Sequence, residues 1–201
     1  MKSEKGLILV VSAPSGAGKT TICREFLKAA PNVRFSVSCT TRDPRHGEVD
    51  GRDYHFISDE EFKDSIAKDE FIEWEKNYGC LYGTSKVCVG DLLEEGYDIL
   101  FDVDTRGAKN LRSRYPDAVF VFILPPSMTI LKERLGKRGS EKGETLERRL
   151  GRAMKEVKEN KGYDYIIFND RIFGSVDILR SIYIAERNKR VRLKDRLDNF
   201  V

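Results

Sequence analysis

The chain has 201 residues, enough for one α/β core with insertions. Its 36 basic and 33 acidic side chains leave a formal charge of +3, so charge alone gives no ground for a non-specific nucleic-acid or membrane role. Cys23, Cys39, Cys80 and Cys88 form no Cys-x-x-Cys pair and His46 and His55 lie far in sequence from any two of them, which argues against a zinc centre. Met1–Lys5 does not read as an export leader, no apolar run nears the ~20 residues of a membrane span, and free thiols fit a reducing cytoplasm.

The first element is a strand at Leu7–Ser12. It runs into Ala13-Pro14-Ser15-Gly16-Ala17-Gly18-Lys19-Thr20, and a helix is expected over Lys19–Ala29. Ile22, Cys23, Phe26 and Leu27 share one side of that helix, and Pro31 stops it. Gly16 and Gly18 let the backbone turn its N–H groups inward without a Cβ clash. The helix aims its positive end at the same anion. The Lys19 ammonium reaches towards β- and γ-phosphates, and the Thr20 hydroxyl is placed to ligate Mg²⁺. This is the P-loop pattern of nucleoside triphosphate binding, with Ala13 at the first position instead of Gly. Alanine there costs little at negative φ and about 1–3 kcal/mol at positive φ. An ordinary Gly-rich turn is the alternative, and the flanking strand and helix weigh against it.

From Phe35 to Gly96 the texture changes to short alternating segments: Phe35–Ser38, Tyr54–Ile57 and Phe71–Glu75. Asp43-Pro44, His46-Gly47 and Asp50-Gly51 separate them as turns. This predicts a small mixed β lobe at 35–96, inserted between core segments 6–34 and 97–190. Continuous apolar runs then predict strands at Asp98–Val103, Val119–Leu124 and Tyr165–Phe168, as expected when both faces of a parallel sheet are covered. Helices are expected near Gly107–Arg114, Ser127–Leu135, Leu146–Lys161 and Val176–Asn188. The stretch about 136–150 opens charged and Gly-rich, and reads either as a surface loop or as a lid over phosphates. The Lys- and Arg-rich tail Asn188–Asn199 reads as a solvated helix end.

A P-loop alone says only that a nucleoside triphosphate binds. Arg42 and Arg45, three apart near a turn, suit a phosphate gripped from two directions, and Tyr54 adds a neutral donor. Such a turn is also common on solvated surfaces. Asp102 closes the run Ile99-Leu100-Phe101, the Walker-B pattern of an acid at a strand end beside a P-loop. Asp102 and Asp104 alternate by two and so point the same way, which leaves open which of them lies nearer a metal.

The run Ser36-Val37-Ser38-Cys39-Thr40-Thr41-Arg42-Asp43-Pro44-Arg45-His46-Gly47-Glu48, with Gly79–Thr84 and Ile99–Asp104 downstream, resembles guanylate kinase. The resemblance spans Leu7 to about Arg187. It implies a P-loop α/β fold with an acceptor lobe and a lid, and transfer of the γ-phosphoryl group of MgATP to GMP. By that resemblance, Arg42, Arg45, Tyr54 and Tyr82 hold the GMP phosphate, and Ser38, Glu73, Thr84 and Asp104 face the guanine. ATP would lie on Ala13, Pro14, Ser15, Gly16, Ala17, Gly18, Lys19, Thr20 and Thr21, with Asn169 on its adenine side. Thr20 and Asp102 would serve Mg²⁺. Lys19, Arg42, Arg134, Arg138 and Arg149 would carry the catalytic charge, with Arg148 able to exchange with Arg149.

Ionised Glu73 and Asp104 suit the N1 and N2 donors of guanine, and the Ser38 and Thr84 hydroxyls suit O6. Adenine lacks the N2 donor, so this pattern disfavours it. The dianionic acceptor phosphate carries no proton to remove, so no catalytic base is expected. Arg106 stands where the family usually has Gln, and an added cation there either strengthens anion binding or points to solvent. Use of dGMP, and monomer or homodimer, stay open. A kinase for another monophosphate, a silent phosphopeptide-binding module and a simple NTPase are the competing readings. An intact P-loop weighs against the silent module, and the Glu73/Asp104 pair against a different acceptor.

Overall fold

The computed structural model describes residues 6–45, 47–77, 79–137 and 146–200. Its centre is a five-stranded parallel sheet of β1 (Ile8–Ser12), β2 (Val33–Phe35), β7 (Asp98–Asp102), β8 (Val119–Leu124) and β9 (Tyr165–Phe168), in the order β2-β7-β1-β8-β9. Alternate residues of β1 leave the sheet on opposite sides. Leu9 and Val11 join Ile22, Phe26 and Leu179, from α1 (Lys19–Ala29) and α7 (Ile172–Arg187). Ile8 and Val10 join Val89 and Leu111, from α3 (Lys86–Glu94) and α4 (Thr105–Arg114). Both faces are therefore covered, which is why the strands are apolar without alternation.

A second, mixed sheet has the order β4-β3-β6-β5, from β3 (Cys39–Thr40), β4 (His55–Phe56), β5 (Phe71–Asn77) and β6 (Cys80–Ser85). Only the β3–β4 pair in it is parallel. Helix α2 (Asp59–Ala67) covers this sheet with Phe62, which stacks on Phe71 at 4.4 Å beside Leu81. Gly83 lets the helix approach, since a Cβ there would lie 2.9 Å from Phe62 Cζ. Helices α5 (Met128–Lys137) and α6 (Leu146–Lys158) pack through Leu131, Leu135, Leu150 and Ala153, and a short α8 (Lys194–Asp198) is exposed near the C-terminus.

Three differences from the sequence reading have clear causes. The strand expected at Phe35–Ser38 lies earlier, as β2 at Val33–Phe35, and pairs with β7 of the parallel core, because the turn after α1 returns the chain directly to that sheet edge. The stretch 35–96 also holds two helices. Ser58 and Glu61 form a reciprocal capping box that starts α2. Ser85 caps α3, whose Val89 packs on the core. Helix α4 starts at Thr105, two residues earlier than expected, because Asp104 is its N-cap.

Candidate active site

The P-loop lies between β1 and α1. Gly16 and Gly18 adopt φ of 88° and 95°, the left-handed region. Gly18 is the N-cap of α1 and has no capping side chain, which leaves the first-turn amides for an anion. A Cβ on Gly18 would lie 2.5 Å from Asn169 Nδ2. Among the described residues Asp69 is the only non-glycine with positive φ, so Ala13 fits its position without backbone strain.

Asn169 packs against the loop. It is buried, its Nδ2 donates to Ala17 O at 2.7 Å, and its Oδ1 accepts from Ser175 Oγ at 3.0 Å. Arg134 braces the same place, donating to Ala17 O and to Asn169 O at 3.3 Å each. Arg149 is half-buried on α6 and donates to Leu135 O at 3.0 Å, whereas Arg148 is exposed. Arg138 and residues 138–145 of the expected lid lie outside the described residues.

The two aspartates, one closing β7 and one just beyond it, part company. Asp102 pairs in register with Val11 and meets Lys19, Nζ to Oδ1, at 2.5 Å. Lys19 also donates to Val103 O. Burial works to lower the lysine's pKa, but the charge and hydrogen bond of Asp102 outweigh it and hold the ammonium above its ordinary value. Asp104 turns to the helix, its Oδ1 accepting from the N–H groups of Arg106 and Gly107 at 3.0 and 2.9 Å. Its carboxylate also bears on Glu75.

The small sheet places the remaining residues by register. Glu73 lies opposite Thr84, and Glu75 opposite Tyr82. Directly opposed residues share a face, and so do residues two apart. Thr84 Oγ1 donates to Glu73 Oε1 at 2.8 Å, and Ser38 Oγ lies 3.5 Å from Thr84 Oγ1. Burial pushes the Glu73 carboxyl up, against the Thr84 hydrogen bond and with Asp104 adding to it. Glu75 is raised by burial and then by Asp104 and Glu73, to about 8, with Arg106 opposing. Arg106 thus bears on the acidic end of this surface.

The other end is basic and aromatic. Arg42 NH2 lies 3.0 and 2.9 Å from the two oxygens of Glu48, and its NH1 donates to Asp43 O at 2.6 Å. Its guanidinium also feels Tyr82 and sits 5.5 Å over the Tyr54 ring. Tyr54 and Tyr82 meet edge to face at 6.0 Å. Glu48 also accepts the backbone N–H of Arg45 at 2.8 Å, so one carboxylate links both arginines. Arg45 is exposed, with its charge bearing on Glu48.

Sequence reading assigned no role to Glu48, Glu75 or Glu156. Glu48 closes the Arg-bearing motif itself. The period of two from Glu73 points to Glu75. Glu156 interrupts the inward stripe of α6, near Leu150 and Ala153, and accepts the Ser15 N–H at 3.2 Å.

A parallel sheet, a glycine loop at the end of β1 and an acid from the neighbouring strand beside the loop lysine define a P-loop nucleoside triphosphate-binding fold. The Guanylate kinase family model matches residues 5–186. A guanylate kinase of Symbiobacterium thermophilum is 49% identical over 188 residues, covering 94% of this chain and 89% of that one. One of Syntrophus aciditrophicus is 46% identical, covering 96% and 93%. The crystal structure of guanylate kinase from Anaplasma phagocytophilum superposes with a TM-score of 0.78 at 33% identity, covering 96% of this chain and 92% of that one. The chain belongs to the guanylate kinase family. No helix among the described residues is long and apolar enough to cross a membrane.

Proposed function

We propose that this enzyme transfers the γ-phosphoryl group of ATP to GMP, giving ADP and GDP in purine nucleotide metabolism. One observation carries the reading. Asp102 and Asp104, two residues apart, face Lys19 of the P-loop on one side and the Glu73–Glu75 wall on the other. A donor cradle and a surface with acids at one end and Arg42, Tyr54 and Tyr82 at the other thus share one short segment. Guanine would set its N1 and N2 donors against Glu73 and Asp104, and its phosphate against Arg42, Arg45, Tyr54 and Tyr82.

The acceptor phosphate is already nucleophilic at neutral pH, so the chemistry reduces to positioning and charge. Lys19, Arg42, Arg134 and Arg149 supply cations that offset the repulsion of two anions. Arg138 joins them in this reading. The oxygens of Thr20 and Asp102 suit Mg²⁺, a hard cation that keeps several waters and binds through one or two carboxylates and substrate phosphates. Bound Mg²⁺ would neutralise phosphate charge. Its free cysteines suit a cytoplasmic enzyme.

The test is steady-state kinetics with ATP, Mg²⁺ and each monophosphate in turn, dGMP included. GMP should give the highest kcat/KM, by about 10²-fold or more over AMP. Equal rates with AMP or UMP, or ATP hydrolysis indifferent to GMP, would overturn the reading.

A further inference from the structure

An anion of this chain's own already sits against the P-loop. Glu156 accepts the Ser15 N–H at 3.2 Å, across 141 residues of sequence. Its place is set by packing, because Leu150 and Ala153 on the same side of α6 seat against Leu131 and Leu135 of α5. Arg149, Ala153 and Glu156 follow at spacings of four and three, which align on one helix face. The carboxyl is half-buried and feels Asp104, Arg152 and Lys19.

We propose that Glu156 is a built-in competitor for the donor site, its carboxylate holding the Ser15 amide and giving it up when nucleotide phosphate enters. The proposal rests on the donor-site reading above. A carboxylate and a phosphate in one cradle repel, more strongly in a cleft than in water. Entry of the donor therefore has to displace Glu156, and this weakens nucleotide binding. It also unties α6 from the loop. Because α6 carries Arg149, the tie links occupation of the loop to the freedom of a cation-bearing helix. Glu156 is thus a residue that sets donor affinity through the loop.

The experiment is calorimetric titration of the wild type, Glu156→Gln and Glu156→Ala with MgADP and MgATP. Glutamine keeps the size and a neutral acceptor oxygen, so it tests charge with the packing preserved, and a melting curve by circular dichroism checks the fold. Both variants should bind both nucleotides about three- to tenfold more tightly than the wild type. Unchanged or weaker binding by folded Glu156→Gln would overturn the proposal, weaker binding meaning that the carboxylate helps hold the donor. Failure of the wild type to bind either nucleotide would instead bring down the donor-site reading, and this proposal with it.

Discussion

The loop of residues 13–21 would hold phosphate with its backbone, whereas the small lobe would hold it with side chains. The loop is one continuous segment, shaped by two left-handed glycines and a helix start. Its bracing comes from far away in sequence, through Arg134 and Asn169 on the Ala17 carbonyl. The lobe brings its residues together from β3, the turn after it, β5 and β6, by strand register. In each region a cation has an acid partner: Lys19 of the loop with Asp102 of β7, and Arg42 of the lobe with Glu48. A backbone site tolerates change in side chains that only line it. A side-chain site fails residue by residue.

Lys19 is the sharpest probe of the loop, because in the proposed reaction it is the side chain through which a backbone cradle would act on the transferring group. Lys19→Ala should lower kcat/KM by about 10²–10³-fold or more and leave the circular dichroism spectrum folded. Comparable activity in the purified variant would remove the loop from catalysis. On the lobe side, Glu73→Gln should reduce the GMP-to-AMP ratio of kcat/KM by about 10–100-fold, since the amide turns a donor towards the N1–H of guanine. An unchanged ratio would take Glu73 out of base reading.

The same contrast decides how much the sequence revealed. The loop could be read from Ala13–Thr20 because its chemistry is local and its flanks are a strand and a helix. Strands β8 and β9 and helix α1 match their expected bounds, because uninterrupted apolar runs and a proline stop are strong signals. The Arg42–Glu48 region was legible only as a motif. That Glu48 spans Arg42 and the Arg45 amide depends on a turn that no periodicity encodes. Asp104 read as a base-facing acid, but its work as the cap of α4 needed the helix start. Asn169 read as a ligand residue and lies in the wall of the loop, a placement set by the crossover from β9 to α7.

Asn169 also tests whether the loop's long-range bracing matters. Asn169→Ala leaves Arg134 as a partner of the Ala17 carbonyl and removes the acceptor of the Ser175 hydroxyl. The expected loss is about 1–2 kcal/mol, or a melting point lower by about 2–8 °C, with a higher KM for ATP than for the wild type. A fall in Tm with KM for ATP unmoved would confine Asn169 to stability.

The smallest expected effect separates the acidic end of the lobe from everything else by its dependence on pH. Glu75 titrates near 4.5 when unfolded and is raised to about 8 in the fold, foremost by burial, then by Asp104 and Glu73, with Arg106 opposing. Between those values the folded protein binds more protons than the unfolded one, so this group's contribution falls as pH rises through the window. Glu75→Gln behaves as the protonated acid at every pH and keeps a donor for Asp104. Solvent screening at this half-exposed carboxyl cuts the linkage to about 1 kcal/mol, so the variant's melting point should match the wild type near pH 4 and exceed it by about 2–4 °C at pH 8. A difference between the two proteins that stays constant from pH 4 to 8 would mean that Glu75 carries no raised pKa. The acidic wall would then rest on Glu73 and Asp104 alone.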